Sequence, residues 1–367
     1  MQVDEGRQIP VAGRLQSSIA IVPTLTSRCG RLLLSWLLLG TLASGLSAAS
    51  FRLAAQTDPS VTSRLKRVGS ELFSGTAQVA DSIRELKSIL AVEPRSAEAH
   101  MLLGIAYRMQ GSPEMMGESV AEFRQALELD PNLAPARLYL AYVYIDLGRV
   151  ERARDELQAA LAQLPGNVQF QALLGETERL LRNPARAVEI LTAALKSDSS
   201  FGQARYYLGL AYFDLGKKPE AIRELEQVVK SGAKVADAYV ALGAAYLETG
   251  RLDEGLEILS QATHLDAGRP DIRIQLARAY RLKGALQKAD EQLALARPQG
   301  AALASPSSRD RQVEFDMYLE LGRLRLRQGR LDAATSAFQK VLEIEPSHAE
   351  TLKYMAEIKQ RQKAKSK

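Results

Sequence analysis

The sequence predicts an all-α solenoid of stacked antiparallel helix pairs behind an N-terminal export or anchor segment, and three observations predict it. The chain of 367 residues is dominated by alanine and leucine and is only 6% aromatic. Those two residues lead the helix-propensity ranking, and β-branched residues trail it. Small residues recur at Ala141, Gly175, Gly209, Gly243 and Ala277, a constant step of 34 residues, as expected of a two-helix repeat unit. An uncharged apolar run from Leu32 to Ala49 follows Arg28 and Arg31.

Residues 1–31 mix Gly, Pro, Ser and Arg without periodicity and are expected to be a disordered leader. Residues 32–49 admit two readings. A short apolar core behind positive charge, closing on Ser47-Ala48-Ala49, fits a secretory signal with a cleavage site. The same uncharged run of about 18 residues also reaches the lower limit for a membrane-spanning helix. The flanking arginines hold the N-terminus in the cytoplasm in either case. On both readings the rest of the chain is exported, as a periplasmic or secreted protein or one anchored in the membrane by residues 32–49. Residues 50–62 read as a linker. The single cysteine, Cys29, rules out a disulfide within one chain. It precedes the apolar run, which argues against lipid attachment there.

Hydrophobic residues at 46% and charged residues at 25% are ordinary for a soluble folded protein. The formal net charge of +5 arises from 48 basic against 43 acidic residues. That small excess is not the basic stripe of a nucleic-acid-binding surface, so no nucleic-acid partner is expected. The one dense basic cluster is the tail from Lys359 to Lys367.

The repeats carry the fold. Three columns keep the same step: the small residues above, then Ala153, Ala187, Ala221, Gly255 and Ala289, then Leu157, Leu191, Leu225, Leu259 and Leu293. Five units in register give 134–167, 168–201, 202–235, 236–269 and 270–303. A unit at 97–133 carries Leu103-Gly104-x-x-Tyr107, Phe123, Ala126 and Pro131, with three extra residues in its turn. Another at 315–348 carries Leu321-Gly322, Ala334, Phe338 and Pro346. A divergent unit near 63–96 precedes them, and 349–365 reads as an unpaired closing helix. The small residue at the eighth position lets two helices approach, with the alanine at the twentieth expected to face it. Tyr at the eleventh fills the remaining gap. Gly148, Gly216, Gly250, Gly284 and Gly329 fall between the two helices, where a left-handed residue ends the first one. Pro184 and Pro219 sit at or next to the start of second helices, and Pro94, Pro131, Pro165 and Pro346 stop them.

This pattern resembles the tetratricopeptide repeat, whose units pair Leu-Gly-x-x-Tyr with a later Ala, an aromatic or Leu, and a terminal Pro. The resemblance spans about 63–365 and implies a right-handed superhelix. Departures occur: Glu178 and Arg325 replace the expected Tyr, and the terminal Pro is absent at Ser199, Ala233 and Ala267. The two units without Tyr are expected to pack their helices less tightly.

No chemical site emerges. His100, His264 and His348 lack ligand spacing, no phosphate-binding glycine loop appears, and Ser305 to Ser308 have no nearby His and Asp. No cofactor, metal or catalytic residue is expected, and the chain is not read as an enzyme. In the family resembled, the first helix of each unit lines a concave groove through its second, fifth, ninth, twelfth and thirteenth positions. On this chain those positions give Met101, Ile105, Met109, Leu138, Tyr142 and Ile145, then Tyr206, Leu210, Phe213, Val240 and Leu247. The last units give Arg278, Arg281, Arg323 and Arg327. The implied groove is apolar at one end and basic at the other, unless the apolar residues pack between neighbouring first helices. Its implied ligand is a peptide or amphipathic helix, apolar with an acidic end. The carboxylate clamp of chaperone-binding members needs Lys at the fifth and Asn at the ninth position, and Met101 and Ile105, or Leu138 and Tyr142, stand there instead. Residues 304–314 interrupt the register as an exposed loop. The basic tail caps a helix end or attaches to an acidic membrane surface. The expected function is therefore a protein-binding scaffold or adaptor in envelope or membrane-associated assembly. An accessory subunit of an enzyme complex, such as a polysaccharide or glycosyl-transfer machinery, is the alternative.

Overall fold

The computed structural model describes residues 59–74, 78–232, 235–296 and 308–365. The leader, the apolar run 32–49 and the first part of the linker lie outside these. Among the described residues there are seventeen helices and no strand, and no helix is long and apolar enough to cross a membrane.

The helices are α1 (Pro59–Ser74), α2 (Val79–Val92), α3 (Ala97–Gln110), α4 (Pro113–Leu129), α5 (Ala134–Asp146), α6 (Val150–Gln163), α7 (Val168–Leu180), α8 (Pro184–Ser197), α9 (Gly202–Asp214), α10 (Lys218–Lys230), α11 (Ala236–Glu248) and α12 (Leu252–Leu265). They continue as α13 (Pro270–Leu282), α14 (Leu286–Ala296), α15 (Ser308–Arg327), α16 (Leu331–Ile344) and α17 (Ala349–Lys365). Odd-numbered helices are first helices and even-numbered ones second helices. The chain divides into two compact units, one reaching to Ala267 and one running from Gly268.

Local chemistry sets the helix ends. The Ser96 hydroxyl accepts from the Ala99 N–H at 3.3 Å, and the Asn167 side-chain oxygen Oδ1 accepts from the N–H groups of Gln169 and Phe170 at 3.0 and 3.1 Å. Each satisfies N–H groups that the first turn leaves without a partner. Between the paired helices the backbone turns through a left-handed residue, Gly111, Gly148, Gly216, Gly250, Gly284 or Gly329. In the 168–201 unit that slot holds Arg182, with φ 65°.

A side chain on the eighth-position glycine would collide with its partner helix. A Cβ on Gly175 or Gly243 would lie 2.5 Å from Cγ of Leu191 or Leu259, and one on Gly209 would lie 2.8 Å from Cγ of Leu225. Phe338 stands in the same way against Gly322. The side chain nearest the glycine is thus the leucine or phenylalanine near the twenty-fourth position, with the twentieth residue beside it: the Ala221 carbonyl oxygen would lie 3.4 Å from a Cβ on Gly209. The alanines are nonetheless fully buried. The pairs α7–α8 and α15–α16, expected to be loose, pack as extensively as their neighbours. Gly175 and Gly322 admit bulky partners there, and the replaced tyrosines become hydrogen-bonded polar groups. Glu178 accepts from Asn183 at 3.0 Å, and Arg325 forks onto Asp290 at 2.6 and 2.7 Å. Residues 308–314, expected as loop, form the first turns of α15, and 59–62, expected as linker, open α1.

Within each unit, first helices also pack on one another: α1 on α3, α3 on α5, α7 on α9, α9 on α11, and α13 on α15. No two second helices make comparable contact. First helices therefore line the inner side of the curve in each unit.

A candidate partner-binding face

On the inner side of the first unit, most of the side chains at the fifth, ninth and twelfth positions are buried. Met101, Ile105, Leu138, Ile145, Tyr206, Leu210, Val240 and Leu247 are all buried, none more than 8% exposed. They belong to the packing between helices. Met109, Tyr142 and Phe213 are half-buried and reach the surface. The apolar character of this face at the solvent boundary rests on those three.

Between the apolar layers lies a polar network. Arg108 of α3 donates from Nε to Asp146 of α5 at 2.7 Å, and its guanidinium lies 5.1 Å from the Tyr142 ring centre. Arg179 of α7 forks onto Glu176 at 2.8 and 2.9 Å and reaches Asp214 of α9 at 2.8 Å. Burial opposes the Arg179 charge, but Glu176 and Asp214 prevail and hold its pKa above the ordinary value. Gln203 of α9 donates to the hydroxyls of both Tyr142 and Tyr207 at 3.0 Å, bridging α5 and α9 across α7. At α7 the fifth position is Ala172, fully buried, and its small side chain leaves room for that bridge. Burial pushes both tyrosine hydroxyls above their usual pKa.

Sequence reasoning took only the apolar members of these columns and missed Arg108, Asp146, Glu176, Arg179, Gln203 and Asp214. The signal was present. Arg at the twelfth position is followed by Asp at the thirteenth of the next unit in two cases, Arg108 with Asp146 and Arg179 with Asp214.

In the second unit the arginines meet carboxylates. Arg281 pairs with Glu320, which is 3% exposed, and Arg323 lies 3.5 Å from the same carboxylate. Arg323 also donates to both oxygens of Glu350 at 2.7 Å, and Tyr354 donates to Glu350 at 2.8 Å. Arg278 is half-buried, and Arg327 is exposed. The basic end is therefore largely neutralised within the chain. The apolar and basic ends lie in different compact units.

Asp316, at the second position of its repeat, has its carboxyl pushed up to about 6 by burial; the hydrogen bond from Gln312 and the charges of Arg323 and Arg278 pull it down, and Asp271 pushes it up. The folded chain holds this proton more tightly than the unfolded chain, whose ordinary value is 3.8. The stabilisation is complete below that value and is lost as pH rises through about 6. At pH 7, Asp316→Asn should stabilise the second unit by about 1–2 kcal/mol after allowance for partial solvent screening. At pH 4 it should be near neutral. Thermal melts at the two values check this, and an equal effect at both would contradict it.

Among the described residues no group of three or more His, Cys, Asp or Glu could hold a metal ion. His100 hydrogen-bonds Glu122 at 2.6 Å and the Pro94 carbonyl at 3.1 Å, and His348 bonds Thr351 at 2.7 Å. Both are structural contacts between or within helices.

Comparison with known proteins bears on the fold. Three family models, each described as tetratricopeptide repeat, match residues 116–176; residues 72–114, 173–234 and 208–271; and residues 315–348. Together these segments fall on more than half of the chain. No curated protein was found to match it in sequence. Among solved structures, the chain is similar to a tetratricopeptide repeat protein from Parabacteroides merdae, with TM-score 0.55, 14% identity, and 71% of this chain and 99% of that one covered. It is similar to the human IFIT1 dimer with m7Gppp-AAAA at TM-score 0.60 and 19% identity, covering 82% of this chain and 72% of that one. A third likeness is to the APC/C hetero-tetramer Cut9–Hcn1, with TM-score 0.61 and 16% identity over 80% of this chain and 56% of that one. At these identities the likeness concerns the fold.

Proposed function

Because the chain belongs to the tetratricopeptide-repeat proteins, we propose that it is a non-enzymatic scaffold that receives a segment of a partner protein on the inner face of its first helices. The observation that carries this reading is the inner face of the first unit. Tyr142 and Phe213 reach solvent there among side chains already locked by Arg108–Asp146, Arg179–Glu176–Asp214 and Gln203. Aromatic groups held in a fixed frame lose little freedom on binding, which favours them as anchors. The charged-then-apolar leader supports placing the scaffold outside the cytoplasm, free or held at a membrane, where it would serve assembly of envelope or membrane-associated complexes.

Photo-crosslinking in intact cells tests both parts. A photoreactive phenylalanine at Tyr142 or Phe213 should capture a defined partner. The same group at Gln158 or Gln261, exposed on the second helices α6 and α12, should not. The adducts should fractionate with exported or membrane proteins. Adducts formed only from α6 and α12 would sink the inner-face reading, and adducts confined to cytosol would sink the placement.

A further inference from the structure

Among the described residues, α17 is the one first helix without a second helix of its own. Its inward side is fixed to α16. Tyr354 stacks on Phe338 with ring centres 5.0 Å apart, Ile358 is buried, and Gln362 donates to Asp332 at 3.0 Å. Its outward side is a stripe of Ala349, Leu352 and Ala356, all exposed. Residues three and four apart share one face of a helix. Leu352 keeps 47% of its surface in solvent. Ala356 stands 34 residues after Gly322, at the eighth position of the repeat frame. At that position in α7, α9, α11 and α15 a glycine lies against a leucine or phenylalanine of the following antiparallel helix: Leu191, Leu225, Leu259 and Phe338. The outward face of α17 thus has the form of a second-helix seat, and its small residue is exposed.

We propose that this face docks a second copy of the chain: two α17 helices lie antiparallel about a two-fold axis, with Leu352 of each seated on Ala356 of the other. A two-fold contact uses the same surface on both sides, so it must be self-complementary. A leucine and a small residue four apart on one stripe meet that demand, since each helix brings both the knob and the seat. Charge selects the direction. From Ile358 onward α17 carries Lys359, Arg361 and Lys363 and no acid, while Glu345 and Glu350 lie just before it and at its start. Arg361 is engaged by Glu357, and Glu350 by Arg323 and Tyr354; Lys359 and Glu345 are exposed. The Leu352–Ala356 register sets Lys359 opposite Ala349, next to Glu350, and Lys363 toward Glu345. The basic end of each helix therefore runs beside the acidic start of the other, whereas a parallel pair would set basic against basic. The helix dipoles also oppose each other only in the antiparallel pair. An anionic membrane would meet the acidic end as well as the basic one, but a second copy complements both. A single helix of 17 residues is about 25 Å long and offers less than the roughly 800 Å² per partner of a standard interface, so the pairing is weak.

Sedimentation equilibrium of the full chain in a density-matched detergent tests the assignment. The dimer should be the larger species by about 0.1 mM. Leu352→Lys keeps an aliphatic stem on the monomer, and the change enters the dimer twice. It should weaken pairing at least about tenfold while leaving the circular dichroism spectrum unchanged. At low salt, Ala349→Lys should weaken pairing and Ala349→Glu tighten it, each about threefold, because Lys359 lies opposite in this register. A chain still monomeric at about 0.1 mM would overturn the proposal, as would a dimer that Leu352→Lys leaves intact. If the monomer instead sediments with phosphatidylglycerol vesicles, or binds an acidic amphipathic helix, and loses this with Leu352→Lys, the face belongs to that occupant and the pairing is overturned. Equal effects of Ala349→Lys and Ala349→Glu would rule out the antiparallel register, and the proposal with it.

Discussion

Gly243→Leu is expected to destabilise the first unit by about 3 kcal/mol or more, at the upper end of overpacking effects. Even the first added carbon has no room: a Cβ at Gly243 would lie 2.5 Å from Cγ and 2.7 Å from Cδ2 of Leu259, itself fully buried. The neighbour cannot swing into solvent, so α11 and α12 must separate along their length. In a repeat array each pair supports only its neighbours, and the damage spreads through interfaces. The melt should therefore broaden or split as well as shift. Gly117→Ala is the matched control. A Cβ there meets nothing within 4 Å, and removing a helix-interior glycine should be neutral or stabilising by up to about 1 kcal/mol. Circular dichroism across both melts decides it. An unchanged midpoint and width for Gly243→Leu would mean that the repeat frame is misplaced.

That frame was legible in the sequence because sterics write it in small residues at fixed spacing. A Cβ on Gly175, Gly209 or Gly243 would press on Leu191, Leu225 or Leu259, and the turn glycines sit where φ is positive. Four features escaped. The leucine or phenylalanine near the twenty-fourth position packs against the small residue beside the alanine at the twentieth, and spacing alone does not say that it points there. The inner face was misjudged for a related reason. Columns give the side of a helix but not how closely the next first helix approaches, and Tyr206 and Val240, only 4% and 2% exposed, are covered by that approach. Charges suffered most. Arg281 and Arg323 looked like a basic patch when read one column at a time, yet Glu320 and Glu350 come from other columns and meet them only after folding. Residues 308–314 were read as loop because they break the register, although nothing in them forbids the helix that α15 extends through them.

The network around Arg179 gives the other large effect. Arg179→Met is expected to cost about 3–5 kcal/mol, because it leaves Glu176 charged and buried without its partner. The Glu176 side chain is 3% exposed, and both of its oxygens accept from Arg179, at 2.8 and 2.9 Å. Asp214 should contribute little to that cost, since its side chain is 32% exposed and can turn to water. Two further variants separate the contributions. Glu176→Gln combined with Arg179→Met removes both charges while keeping the volumes similar, and should restore most of the loss. Asp214→Asn alone should cost about 1 kcal/mol or less. Urea unfolding of these chains, with Glu176→Gln alone and Asp214→Asn combined with Arg179→Met closing the two cycles, measures each term. The coupling between Glu176 and Arg179 should exceed that between Arg179 and Asp214, because only the first pair is sealed from solvent on both sides. If Arg179→Met costs under about 1 kcal/mol, or the double variant is less stable than the single, the pair does not stabilise the fold, and the preorganised inner face loses its physical basis.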